Sequence, residues 1–204
     1  MTGEIISSYM VVVKQEVRTY IVEIARRIFT RYGFRKTTME EIAVSSKMGK
    51  SSIYYYFNSK EAIFRSVVEF EATMLKEQLN SILSKHQSPP ERLKAYILFR
   101  LHHVRTLENF YAALNEEALS HMHFILEIRR NFETEEQQLV GKILEDGMRQ
   151  GVFQLSSSKI GAIAISTMMK GLEVPLLLDD AHKTDRGELM EDLIRVLLYG
   201  ILKR

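Results

Sequence analysis

Apolar residues recur at three- and four-residue intervals along almost the whole chain, and the strict alternation of a half-buried strand is scarce. That periodicity predicts an all-α protein of about nine helices. The first clear stripe, Ile21, Ile24, Ala25, Ile28, Phe29 and Tyr32, predicts a helix from about Lys14 to Tyr32, with Gly33 as its left-handed stop. The preceding Met10-Val11-Val12-Val13 either extends that helix or forms a loosely held arm. Thr37-Thr38-Met39-Glu40-Glu41 places a threonine three residues before a glutamate, the capping-box spacing that satisfies free backbone N–H groups at a helix start. It opens a short helix ending near Ser45 or Ser46. A third helix is predicted from about Lys50 to Tyr56, and Asn58-Ser59 caps a fourth from about Ser59 to Lys85.

Ser88-Pro89-Pro90 is the clearest break, with a proline suited to a first helical turn. The fifth helix, about Pro90 to Leu107, is apolar on more than one face (Leu93, Tyr96, Ile97, Leu98, Phe99, Leu101, Val104), which predicts a central place in a bundle. Asn109 is placed to cap a sixth helix to about Leu119. A seventh, about His121 to Gln150, turns Ile125, Ile128, Phe132, Leu139 and Ile143 inward and stops at Gly151. Ser156-Ser157-Ser158 begins an eighth, kinked or ended near Pro175, and the ninth occupies about Gly187 to Leu202. We therefore expect an N-terminal three-helix domain over residues 1–60 and a helical bundle over 61–204.

Charge sharpens this division. The first 60 residues hold ten Lys or Arg against five Glu, a net of +5, leaving −3 for the rest of a chain whose total is +2. A basic head on a mildly acidic body is expected where only the head meets a polyanion. Cysteine is absent, which removes disulfides and thiolate chemistry and fits a reducing compartment. No apolar run approaches the ~18 residues of a membrane span. Glu4 stands where a secretion signal would be cationic, so the expected location is cytoplasmic, with no membrane partner.

The stretch Thr37 to Glu61 carries the functional information. Two short helices flank a turn at Ser46-Lys47-Met48-Gly49, and Ile42, Ala43, Met48 and Ile53 are spaced to pin them together. This is helix-turn-helix spacing, in which the second helix enters the DNA major groove N-terminus first. Its early residues, Gly49, Lys50, Ser51 and Ser52, are small or cationic, so the backbone can approach DNA while Lys50 reaches a base edge or a phosphate. Tyr54 and Tyr55 offer rings and hydroxyls at the groove wall, while Tyr56 and Phe57 turn partly inward. Lys60 in the first turn of a helix opposes the helix dipole, a cost relieved if a phosphate docks there.

The run Gly49-Lys50-Ser51-Ser52-Ile53-Tyr54-Tyr55-Tyr56-Phe57, followed by Ser59-Lys60-Glu61, resembles the signature of the TetR (tetracycline repressor-like) family of bacterial transcriptional regulators. Gly33-Phe34 and Thr37-Thr38 agree with that pattern upstream, and the close likeness covers about Ile21 to Phe64. The resemblance implies a dimeric, ligand-responsive DNA-binding regulator, most often a repressor, in which Thr37, Thr38, Lys50, Ser51, Ser52, Tyr54, Tyr55 and Lys60 face a palindromic double-stranded operator. Two positions depart from the family pattern. Lys47 stands where relatives usually carry glycine, so it either adopts a left-handed conformation at a cost of ~1 kcal/mol or reshapes the turn. Ser51 stands where many carry glycine, so the operator sequence is not transferable.

The resemblance further implies a sensor bundle for a small, apolar effector. Phe70, Met74, Phe99, His103, Phe110, Tyr111, Phe124, Met168 and Met169 are candidates to line its cavity, each also an ordinary core residue by composition. No cofactor is expected. A di-metal carboxylate bundle needs paired Glu-x-x-His motifs, and the chain offers only Glu117 with His121 and His123, and His102-His103, so no metal site is expected. Gly161, Ala162, Ala164 and Gly171 permit close helix approach, and Leu189, Leu193, Val196, Leu197 and Ile201 stripe the final helix. The last two helices serve either a homodimer interface, as the family implies, or packing within the chain. The competing function class is a helical-bundle protein that binds a metal or small molecule without regulating DNA.

Overall fold

A computed structural model describes residues 2–103, 109, 123–178, 191, 192, 194–196 and 198. Seven helices are delimited there: α1 (Thr2–Lys36), α2 (Met39–Ser45), α3 (Lys50–Tyr56), α4 (Lys60–Leu83), α5 (Pro89–His103), α6 (His123–Arg149) and α7 (Ser158–Leu178). The all-α class holds. Met10–Val13 extend α1 back to Thr2, and α7 continues through Pro175 to Leu178, which leaves a kink and excludes an end as the reading of that proline. The expected sixth helix, Asn109 apart, and most of the expected ninth lie outside the described residues. No helix among the described residues is long and apolar enough to cross a membrane.

The chain divides into two compact units, Met1–Ala72 with Glu108–Ile125, and Thr73–Leu107 with Leu126–Arg204. In the first, one face of α1 (Ile21, Ala25, Ile28, Phe29) is buried with Ile42 of α2, Ile53 of α3 and Ile63, Phe64 and Val67 of α4. The rings of Phe29, Phe34 and Phe64 cluster with centroids 4.8–5.9 Å apart, and Phe124 meets Phe64 edge-on at 6.4 Å. Gly33 interrupts α1 at φ 78°, ψ 160°, a backbone region open essentially to glycine alone. Deeper in the same unit Arg26 Nε donates to Glu71 Oε1 at 2.8 Å, and Glu71 is fully buried. The N–H groups that Asn109 is expected to cap lie outside the described residues, and only the contacts of its side chain with the earlier helices are seen. Its Nδ2 faces Arg26 O (3.1 Å), Thr30 Oγ1 (2.8 Å) and Glu71 Oε1 (3.0 Å), tying its own segment to α1 and α4.

In the second unit α5 starts on a Ser88–Glu91 capping box: Ser88 Oγ donates to Glu91 Oε2 at 2.7 Å and accepts from Glu91 N at 3.4 Å. The Ser88 hydroxyl, and after it the Ser88 backbone N–H, donate to the Glu91 carboxyl and hold it below its ordinary pKa. α5 is central, as its multi-faced apolar pattern predicts, with Leu93, Tyr96, Ile97 and Phe99 buried. Leu98 departs from that set at 36% exposed. α6 ends at Gly151 (φ 71°), and Phe153 folds back so that its ring lies over Gly147 where any Cβ would collide. A Cβ on Gly161 would sit 2.9 Å from Leu144 Cδ1, so this small residue serves close packing of α7 on α6 within the chain. The other side of α7 leaves Ile160, Ile163 and Met168 exposed at helical spacing.

Candidate nucleic-acid interface

α2 begins as its sequence requires. Thr38 N donates to Glu41 Oε2 at 2.7 Å and Glu41 N donates to Thr38 Oγ1 at 3.2 Å, which selects Thr38 and Glu41 as the reciprocal capping pair. The helix ends in a Schellman arrangement: Lys47 N donates to Val44 O (3.0 Å) and Met48 N to Ala43 O (2.9 Å). That geometry needs a left-handed residue, and Lys47 supplies it at φ 53°. The turn has therefore kept its shape and accepted the strain. Gly49 then caps α3 through its backbone in an extended conformation, so no side chain stands in front of the helix start.

α3 is anchored by fully buried Ile53 and by Phe57 just beyond its end. Tyr56 is half-buried, while Lys50, Ser51, Ser52, Tyr54 and Tyr55 are exposed together, Tyr54 and Tyr55 at 43% and 69%. An exposed aromatic pair beside two serines and a lysine on one seven-residue helix is a surface with polar donors and no core role. Lys50 Nζ forms an ion pair with Glu40 of α2, which raises the lysine's pKa and lowers the glutamate's through their hydrogen bond. Both are solvent-exposed, so the pair is weakly held and open to exchange. The far end of α3 is closed from outside the motif: Arg18 Nη1 of α1 donates to Tyr56 O, and the guanidinium lies 4.1 Å from the Phe57 ring centroid.

The family model of bacterial regulatory proteins, tetR family, matches residues 21–67, from the buried face of α1 through the first turns of α4. Over those residues the chain is of the TetR family. It is a DNA-binding transcriptional regulator of helix-turn-helix type. Among its relatives is the HTH-type transcriptional regulator YhgD of Bacillus subtilis, 26% identical over 78% of this chain and 81% of its own. The HTH-type transcriptional repressor NicS of Pseudomonas putida is 26% identical over 67% of this chain and 66% of its own. The same fold is seen in the crystal structure of a transcriptional regulator from Saccharomonospora viridis in complex with choline. That chain has a TM-score of 0.80 and 20% identity, over 93% of this chain and 100% of its own.

Of the eight residues expected at the TetR-family DNA surface, Thr38, Lys50, Ser51, Ser52, Tyr54 and Tyr55 are exposed on α3 or at the start of α2. Thr37 and Lys60 are placed differently. Thr37 is 1% exposed and its hydroxyl donates to Gly33 O at 2.9 Å, bracing the backbone at the α1 break. Lys60 Nζ donates to Phe34 O and Thr37 O, each at 2.9 Å, with Arg35 O at 3.5 Å, and lies 4.4 Å from the Phe34 ring centroid. The cation at the start of α4 thus answers carbonyls left open where α1 ends, a place that favours positive charge. The helix-dipole argument for a phosphate at this lysine loses its premise. Lys60→Met is expected to lower unfolding free energy by about 1–2 kcal/mol, read by thermal melting. Melting indistinguishable from wild type would remove that capping role.

Sequence reasoning passed over Arg18 and Glu40. The signal for Arg18 was present as the basic pair Lys14 and Arg18, one helical turn apart. The expected effector residues scatter. Phe99 is buried beside a cavity of about 600 Å³ in the second unit, lined by Ile82, His86, Glu91, Lys94, Ala95, Leu98, Phe99 and His102. Phe70 and Met74 are half-buried on α4, Phe124 packs on Phe64, Met168 is 42% exposed and Met169 is buried. The side chain of His103, and Phe110 and Tyr111 entirely, lie outside the described residues.

Proposed function

We propose that this regulator is a repressor that binds a palindromic operator as a homodimer and is released by a small, mainly apolar effector. The observation that carries the DNA-reading half is the exposed face of α3, held on a rigid helix-turn-helix whose serines, tyrosines and lysine have no packing role. Residues 1–60 form the reading domain and 61–204 the sensing and dimerising one. The repressor sign follows the printed function of NicS. Dimerisation is supported by the unpartnered Ile160, Ile163 and Met168 on α7 and by Val196, 72% exposed near the chain end. A two-fold protein also matches two half-sites ~34 Å apart. The cavity beside Phe99, with Ile82, Ala95 and Leu98 as its apolar floor, is the proposed effector site. Its occupant favours a dimer whose reading helices no longer span successive major grooves. In this reading the protein works in the cytoplasm and catalyses no reaction.

The test is a mobility-shift titration on duplex DNA from upstream of the protein's own gene. Lys50→Ala and Tyr54→Ala are each expected to cost about 1–3 kcal/mol of binding, roughly 5- to 150-fold. Binding no tighter than to a random duplex, with both variants silent, would reject the assignment of α3 as the reading helix.

A further inference from the structure

The reading surface extends onto a residue outside the helix-turn-helix. Lys14 of α1 places its Nζ 5.0 Å from the centroid of the Tyr55 ring, and Tyr55 is the most exposed ring of α3. This proximity is fixed by the neighbouring turn of α1. Arg18 donates to Tyr56 O and covers Phe57, which clamps α1 against the end of α3. Lys14 is four residues earlier on the same helix and therefore on the same face, displaced one turn along the axis. The ammonium so positioned is exposed, and among the described residues it makes no ion pair. Lys50 differs, because it must first leave Glu40 before it can serve a phosphate.

When the start of α3 lies in a major groove, Tyr55 near its end stands at the groove wall, where the sugar–phosphate strand runs. A cation beside that ring meets the strand. We propose that Lys14 is a backbone-phosphate contact of duplex DNA at the rim of the recognition helix, with Arg18 as the positioning residue that holds it there. The inference rests on α3 being the reading helix. It assigns Lys14 an electrostatic role with no base preference. A weak cation–ring contact in water is readily traded for a charge-assisted bond to phosphate.

The experiment measures the affinity of the full chain for a random-sequence duplex and for the upstream duplex across salt from about 50 to 200 mM. Wild type, Lys14→Ala and Lys14→Arg are compared, with equal melting temperatures confirming that the exposed substitutions leave the fold intact. Lys14→Ala is expected to make the slope of log affinity against log salt shallower by about 0.9 per bound head on both duplexes, and to weaken binding roughly three- to tenfold near 0.1 M salt. Lys14→Arg is expected to keep the wild-type slope. A wild-type slope in Lys14→Ala, or a loss in Lys14→Arg equal to that in Lys14→Ala, would overturn the proposal while leaving α3 as the reading helix. If wild type itself showed no salt-dependent binding to either duplex, both readings would fall together.

Discussion

Arg100→Met is expected to lower the stability of the second unit by about 3–5 kcal/mol. Arg100 and Glu136 are 2% and 3% exposed, with Nε 3.1 Å from Oε1. The Tyr96 hydroxyl donates to that same oxygen at 2.6 Å, and the Phe132 ring centroid lies 5.0 Å from the guanidinium. Removing the guanidinium leaves a carboxylate in the interior with its countercharge gone. Attraction between the two ions is offset largely by what it cost to take both from water, so deleting one exposes the whole desolvation term of the other. Adding Glu136→Leu to Arg100→Met should then recover most of the loss. Urea unfolding followed by circular dichroism measures both. A single variant within about 1 kcal/mol of wild type, or a double variant no better than the single, would show that the two buried charges are not coupled as their geometry describes.

Arg26→Ala is the counterpart in the DNA-reading unit, with an expected loss of about 2–3 kcal/mol. The smaller figure follows from exposure: the Arg26 side chain is 32% exposed while Glu71 is at 1%, so water partly replaces the lost cation. The Asn109 amide still faces Glu71 at 3.0 Å and softens the loss further. That amide has two N–H groups before three acceptors, so it exchanges among them and cannot take over the role of Arg26 completely. Because α1 supplies the buried face on which α2 and α3 rest, the same variant should lower the temperature at which duplex binding is lost. Normal melting together with normal binding at raised temperature would refute the network's structural importance.

What could be read from the sequence was what short-range chemistry decides. α3 was expected over Lys50 to Tyr56 and runs from Lys50 to Tyr56. α2 ends at Ser45 because its cap, its stop and its apolar pair Ile42 and Ala43 all lie within ten residues. The strain at Lys47 was legible through the resemblance instead, since relatives usually carry glycine at that turn position. What was not legible depended on partners distant in sequence. Lys60 meets carbonyls 23 to 26 residues upstream, and Asn109 reaches groups up to 83 residues away. Nothing in the local pattern chooses between a solvated, a DNA-bound and a capping lysine. The cavity shows the same limit. The helical spacing on α5 identifies an apolar helix without saying which face its neighbours leave uncovered, so Phe99 was named while Leu98 and His102 were not.

The borrowed helix endings have a consequence for how the head comes into being. α3 has seven residues, no side-chain N-cap, and a C-terminus closed by Arg18 from a different helix; the end of α1 in turn is closed by Lys60 from α4. A helix that short has a negligible population on its own, because the cost of nucleation is spread over too few bonds. α3 therefore cannot form first and wait for α1. The reading surface is expected to assemble in one transition that recruits residues from Arg18 to Lys60. The segment Thr37–Glu61, which announces the protein's role most clearly, is for that reason a poor candidate for autonomous folding.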